Sequence, residues 1–148
     1  MNASNARARV RALWVAGALA ALAAVGGQGA HAEEAKPDAV VASLLKKELA
    51  DIPGKEVVML TVEYPPGGSS PAHRHDANVF VYVLEGTLRM QVDGAPAVTL
   101  TAGDTFDENP NDVHRVSANA SDTQPVKFLV LMIKDQGKPS TRAVEQAP

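Results

Sequence analysis

The sequence predicts an all-β domain, built as a sandwich or a barrel. Three observations carry this. Short runs rich in β-branched and large apolar residues recur between residues 55 and 134, with turn signals about every 8–12 residues. Leu88, Met90 and Val92 alternate with Arg89, Gln91 and Asp93, the period-two pattern of a half-buried strand. No heptads, no long-period repeat and no Walker-type or dinucleotide-type glycine loop interrupts the series.

Taken in order, the chain opens on a segment unlike the rest. Arg7, Arg9 and Arg11 form a basic head, and Ala12 to Val25 is almost wholly apolar. Ala30-His31-Ala32 supplies a small-x-small site before Glu33-Glu34. Together these read as a cleaved secretory signal over residues 1–32, with cleavage after Ala32. An apolar core of 14 residues is too short to span a bilayer comfortably. The expected compartment is the periplasm or the exterior, with no membrane attachment after cleavage.

Residues 33–54 form an N-terminal extension. Ala39 to Ala50 fits two periodicities: Val40, Val41, Leu44, Leu45 and Leu49 follow a helical stripe, and the paired apolar residues also suit a short edge strand. Pro53-Gly54 and Pro65-Pro66-Gly67-Gly68 bound a strand over Val57 to Tyr64. Val79 to Leu84 is apolar on both faces and needs cover on both. Glu85-Gly86-Thr87 turns the chain into the strand ending at Val92, and Asp93-Gly94 is a hairpin signal leading to Ala97 to Thr101. Thr105-Phe106 is short and extended, Asn109 to Asp112 is a loop, and Val113 to Ser117 is a strand. Val126 to Lys134 is the last strong strand. Residues 135–148 lack an apolar pattern and are expected to form a flexible tail.

Of the 14 basic residues, three leave with the signal, so 11 remain against 17 acidic ones. A net charge near −6 provides no positive field for nucleic acid. The chain has no cysteine, so an exported domain of 116 residues rests on its core, without disulfides. Only three of the four histidines lie after Ala32: His73, His75 and His114. In extended chain, residues i and i+2 share a face. The His73 and His75 imidazoles would then point the same way, about 7 Å apart along the strand, as one wall of a chelate.

These residues resemble the motifs of a small single-domain cupin. The first cupin motif is Gly, five residues, His-x-His, three or four residues, Glu, six residues, Gly. Gly67, His73, His75 and Gly86 fall in its register. In the second motif Gly103 and His114 fall in register, with Pro110 one place late, Asp112 at the second Gly, and Asn119 one place late. The resemblance covers residues 55–134. It implies a cupin double-stranded β-helix, a jelly-roll barrel, holding one divalent transition metal on His73, His75 and His114.

The departure from the motif is Val79, which stands where the family carries its metal-binding Glu. Asn78 is the nearest substitute ligand, although alternation points it to the opposite face unless a bulge intervenes. Three neutral imidazoles would leave the full 2+ charge on the ion and favour an anionic, bidentate ligand. Fe(II) is the favoured metal, with Mn, Ni, Cu or Zn as alternatives. Val79, Val81, Val83, Leu88, Met90 and Val92 are expected to line the barrel. Few acid/base groups can be placed near the site, and Glu63, Tyr64 and Gln91 enter only if the assigned faces are reversed. Three-histidine cupins include O₂-dependent dioxygenases acting on thiols and β-diketones. The resemblance therefore implies a dioxygenase-type oxidoreductase on a small chelating molecule. A non-enzymatic metal or small-ligand binding module and a metal-assisted isomerase are the alternatives. Phe80, Tyr82 and Leu84, with the doubly apolar strand from Val126, lead to the expectation of a homodimer.

Overall fold

Antiparallel pairing of eleven strands organises residues 39–144, the part of the chain that the computed structural model describes. The signal expected at residues 1–32 and the charged lead-in up to Asp38 lie outside the described residues. The strands are β1 (Val40–Glu48), β2 (Lys55–Tyr64), β3 (Ser69–Ser70), β4 (His73–Arg74), β5 (Ala77–Glu85), β6 (Thr87–Val92), β7 (Val98–Thr101), β8 (Thr105–Glu108), β9 (Val113–Asn119), β10 (Val126–Asp135) and β11 (Arg142–Ala143). No helix occurs among the described residues.

One sheet has the order β1-β2-β10-β5-β8 and the other β11-β4-β9-β6-β7, with β3 also paired to β9. The inner faces meet in one core. Val79, Val81 and Val83 of β5 and Phe128, Val130 and Met132 of β10 pack with Leu88 and Met90 from the opposite sheet. Burial alternates along β5 as far as Leu84 and throughout β10, as the period-two pattern requires. Val92, expected inside, is only half-buried at the end of β6.

The ambiguous segment Ala39 to Ala50 is an edge strand. β1 pairs antiparallel with β2 and slips register between Ser43 and Leu45. A helical stripe needs a surface to bury itself on, and here every β1 residue is exposed.

Val79 to Leu84 proves covered on one face only. On the outer face of the first sheet Phe80, Tyr82 and Leu84 are 48%, 44% and 39% exposed. Phe80 sits across from Leu131 and Tyr82 across from Leu129, both half-buried.

The chain crosses between sheets at Gly86, whose φ is +78°. A Cβ there would stand 2.4 Å from the Pro125 carbonyl oxygen and 2.8 Å from Val126 Cα, so glycine is required on two counts. The loop before His114 has a non-glycine counterpart. Asn111, at φ +70°, takes the left-handed turn. The motif alignment puts the glycine position at Asp112. Asp112 instead accepts a hydrogen bond from the Asn109 amide and braces the loop.

The tail expected beyond Lys134 is partly docked. β10 runs to Asp135, and β11 pairs with β4, Arg142 opposite Arg74 and Ala143 opposite His73.

Candidate metal centre

Three short-range devices gather the histidines. β4 and β9 pair so that His73 lies directly across from His114. His75 follows β4, its backbone carbonyl accepting from the Asn111 amide at 2.9 Å. A β-bulge in β9 then sets the face. Gln91 pairs with Val116 but Val92 pairs with His114, which leaves Arg115 as the extra residue. Arg115 turns outward to an exposed ion pair with Asp93, while His114 and Ser117 both point inward.

Ligand nitrogens of His73, His75 and His114 all lie within 4.8 Å of one another. The rings of His73 and His75 meet edge-on at 4.9 Å, and those of His73 and His114 at 5.0 Å. Each Nδ1 faces an acceptor. His73 Nδ1 donates to the Pro71 carbonyl at 2.8 Å, and His75 Nδ1 donates to the Ser140 carbonyl at 2.5 Å. Glu108 Oε1 stands 3.2 Å from His114 Nδ1, within ion-pair reach but off hydrogen-bond alignment. The two carbonyl bonds leave Nε2 of His73 and of His75 free for an ion, the arrangement that outer-shell acceptors impose on ligating histidines. Burial holds the His73 imidazole below its usual pKa, and the His114 and His75 rings act in the same direction against the Pro71 bond. The neutral ring is the form that binds metal.

The histidines fit a metal on a further count. His114 is 2% exposed, and its Nε2 has no hydrogen-bond partner. Buried polar atoms are ordinarily satisfied, so an orphaned imidazole nitrogen beside two others indicates a missing partner. Asn78, the candidate substitute ligand, is exposed on the outer face of β5, while its neighbour Val79 faces inward.

The carboxylate that sequence reasoning missed is Glu108. It pairs across β5–β8 with Val79, the position where the motif carries its Glu. Glu108 is 3% exposed, and neither of its oxygens has a hydrogen-bond partner. The signal is faint: Phe106 and Glu108 share a parity, but Glu108 lies two residues past the end of the predicted strand.

The histidines open onto a cavity of about 350 Å³. Its walls include Leu60, Val62, Val79, Val81, Met90 and Phe128; of the expected lining, Val83 and Leu88 are buried in the core but do not reach the cavity. One polar spot interrupts them. Tyr64 Oη shares hydrogen bonds with Ser70 Oγ at 2.7 Å and Ser117 Oγ at 2.8 Å. Tyr64 thus faces inward, contrary to its expected face, and burial raises its pKa against those two bonds. Glu63 and Gln91 are absent from the lining.

Residues 60–132 match the family model of the cupin domain. No curated protein matches the sequence. Solved structures share the fold. An uncharacterized conserved protein with a double-stranded β-helix domain from Klebsiella pneumoniae is 18% identical, with a TM-score of 0.58 over 76% of this chain and 89% of that one. The polyketide cyclase RemF from Streptomyces resistomycificus is 23% identical, with a TM-score of 0.56 over 74% of this chain and 72% of that one. The DMSP lyase DddQ from Ruegeria pomeroyi is 22% identical, with a TM-score of 0.51 over 58% of this chain and 42% of that one.

Proposed function

For a chain that carries a cupin domain, we propose the function of a metal-dependent enzyme acting on a small, largely apolar molecule that chelates the metal. The observation that supports it best is the junction of three Nε2-presenting histidines with an apolar cavity holding one uncommitted carboxylate. His73, His75 and His114 would hold the ion, which would supply Lewis-acid or redox chemistry at open coordination positions. The chain's own residues do the rest. The apolar walls bind the body of the ligand and exclude water. Tyr64, Ser70 and Ser117 offer hydroxyls to orient a polar group on it. Glu108, 3.2 Å from His114 Nδ1, would accept from that ring once its Nε2 is engaged.

The first reading is dioxygenation, with O₂ as oxidant and both oxygen atoms entering the product. It follows from the three-histidine set and the dry lining. A second reading, metal-assisted elimination, cyclisation or isomerisation, is favoured by the free oxygen of Glu108, a group able to carry a proton. Two fold relatives named as a lyase and a cyclase keep that class in view. Metal analysis of protein taken from its native compartment, then O₂ uptake by Fe(II)-loaded protein with β-diketones, thiols and phenols, tests the first reading. Turnover of the same compounds without O₂ uptake supports the second. No turnover with any metal, together with a tight silent ligand complex, replaces both with a binding module.

Export and self-association complete the proposal. The basic head, apolar core and Ala30-His31-Ala32 support cleavage before Glu33, which N-terminal sequencing of the mature protein checks. A second copy of the chain is the proposed cover for Phe80, Tyr82 and their Leu129 and Leu131 neighbours, since one apolar face can close on itself across a two-fold axis. Sedimentation of the Phe80→Lys variant as a monomer beside a dimeric parent is the expected result.

A further inference from the structure

We infer that the C-terminal strap, Ser140–Ala143, is a working part of the metal centre: its docking positions His75, and metal occupancy in turn fixes the strap. The inference rests on the metal-binding reading of the three histidines.

The strap is anchored just before it reaches the site. Lys134, almost fully buried, bonds Glu56 Oε1 at 2.5 Å and also donates to the backbone carbonyls of Asp135 and Lys138. The Gln136 amide donates to the Gly54 carbonyl at 2.9 Å. From this fixed turn the chain crosses to the histidines. The Ser140 carbonyl accepts from His75 Nδ1 at 2.5 Å, and Thr141 Oγ1 lies 3.4 Å from the same nitrogen. Arg142 forms an ion pair with Asp76, the neighbour of His75. Arg142 and Ala143 then pair with Arg74 and His73. Thr141 and Ala143 line the cavity.

His75 depends on this strap more than the other ligands depend on theirs. It lies outside any strand, while His73 and His114 sit within paired ones. Its Nδ1 acceptor comes from 65 residues away, whereas that of His73 is the carbonyl two residues before it. Without the strap, His75 keeps its backbone bond to Asn111 but loses the acceptor that selects Nε2 for the ion.

The strap has little else to hold it. Thr141, Arg142 and Ala143 are exposed, β11 is two residues long, and its ion pair is half-exposed. A segment with few buried apolar contacts opens locally at low free energy. Whatever the docked strap contributes to metal affinity, the bound metal must return to strap docking by the same factor.

The test uses Zn²⁺ as the probe. Competition titration is run on the full chain, on Arg142→Asp, on a chain ending at Pro139, and on His114→Ala. Loss of an outer-shell partner costs about 10–100-fold in metal affinity. Arg142→Asp and the shortened chain should both fall in that range, and His114→Ala should lose tight binding outright. Hydrogen exchange on the full chain supplies the reciprocal readout: Zn²⁺ should slow the amides of Arg142 and Ala143 by a similar factor. If His114→Ala weakens zinc while Arg142→Asp and the shortened chain bind as the parent does, the strap inference is overturned and the metal centre stands. If His114→Ala binds zinc unchanged, the metal-binding reading fails first. If the shortened chain does not fold, Arg142→Asp and the exchange experiment still decide the matter.

Discussion

Replacing Glu108 by Leu should make the metal-free protein more stable and shrink the stabilisation that bound metal adds. Glu108 is 3% exposed, with two oxygens that have no hydrogen-bond partner. A buried polar group left unsatisfied costs about 1–3 kcal/mol, and more when it carries charge. Leucine has similar bulk and would pack beside Val79 and half-buried Phe106. His114 Nδ1 loses a neighbour at 3.2 Å, but one that is not aligned for a hydrogen bond, so the offset is small. The metal-free gain is then about 1–2 kcal/mol. In a domain of this size that raises the melting temperature by about 4 °C per kcal/mol.

With metal present that gain is offset. Glu108 is the carboxylate nearest His114 Nδ1, and it would be the available acceptor for that N–H if Nε2 held an ion. Losing it should weaken binding by about 10–100-fold, or about 1.4–2.7 kcal/mol. At one fixed Zn²⁺ concentration above both dissociation constants, the metal-induced stabilisation shrinks by that same amount. The assay is a pair of calorimetric melts, with Zn²⁺ and with chelator, for parent, Glu108→Leu and Glu108→Gln. The Gln variant keeps one oxygen and should lie between the others with zinc present. A lower melting temperature for metal-free Glu108→Leu, or a zinc increment equal to that of the parent, would refute the reasoning.

Other consequences are simpler. Gly86→Ala forces a side chain into a left-handed turn and against the Pro125 carbonyl at 2.4 Å. It should cost at least about 2 kcal/mol, read as a shift of the denaturation midpoint with unchanged slope. The Lys134 ammonium, with help from Lys46 and against burial, holds the Glu56 carboxyl below its usual pKa. A depressed carboxyl stabilises the fold fully above the unfolded glutamate value of about 4.3, and the contribution is lost as pH falls through the folded value. Acid melts of Glu56→Gln should accordingly show a flatter loss of stability in that window than the parent. Because His73 is held neutral by burial, zinc should stay bound below the pH at which an exposed imidazole would take up its proton, a shift that competition titrations at stepped pH would read.

The strands were legible because alternation and turn residues are local signals. β5, β6 and β10 fall where their patterns place them, within two residues at each end. The histidine trio was legible because His73 and His75 share a face by spacing, and only one other histidine follows Ala32. What could not be read depends on non-local geometry. Glu108 reaches the site through its register with Val79, and nothing near Glu108 in sequence announces that pairing. Ser117 faces inward only because Arg115 is the extra residue of a bulge. The strap carries no apolar pattern because it docks through a backbone carbonyl, an ion pair and two ladder positions. The outer face of β5 looked like something to be covered, and within one chain it is not.

The relation between Val79 and Glu108 can be made to declare itself. The two side chains are directly opposed across β5–β8, both almost fully buried and both lining the cavity. Directly opposed Cβ atoms lie about 4.5–5.5 Å apart. Val79→Glu alone therefore sets two carboxylates face to face in a dry space, and the metal-free protein should lose stability. Combining it with Glu108→Val restores one carboxylate and one branched apolar side chain in the same volume. The double variant should recover about 0.5–3 kcal/mol relative to the sum of the two single effects. A bound Mn²⁺ ion should favour the single Val79→Glu variant over the parent, since the metal supplies the charge that two facing carboxylates lack. Thermal melts with and without Mn²⁺ read both effects. If the two substitutions add within about 0.5 kcal/mol, the positions do not share one space. Glu108 would then not occupy the space that a carboxylate at position 79 would fill.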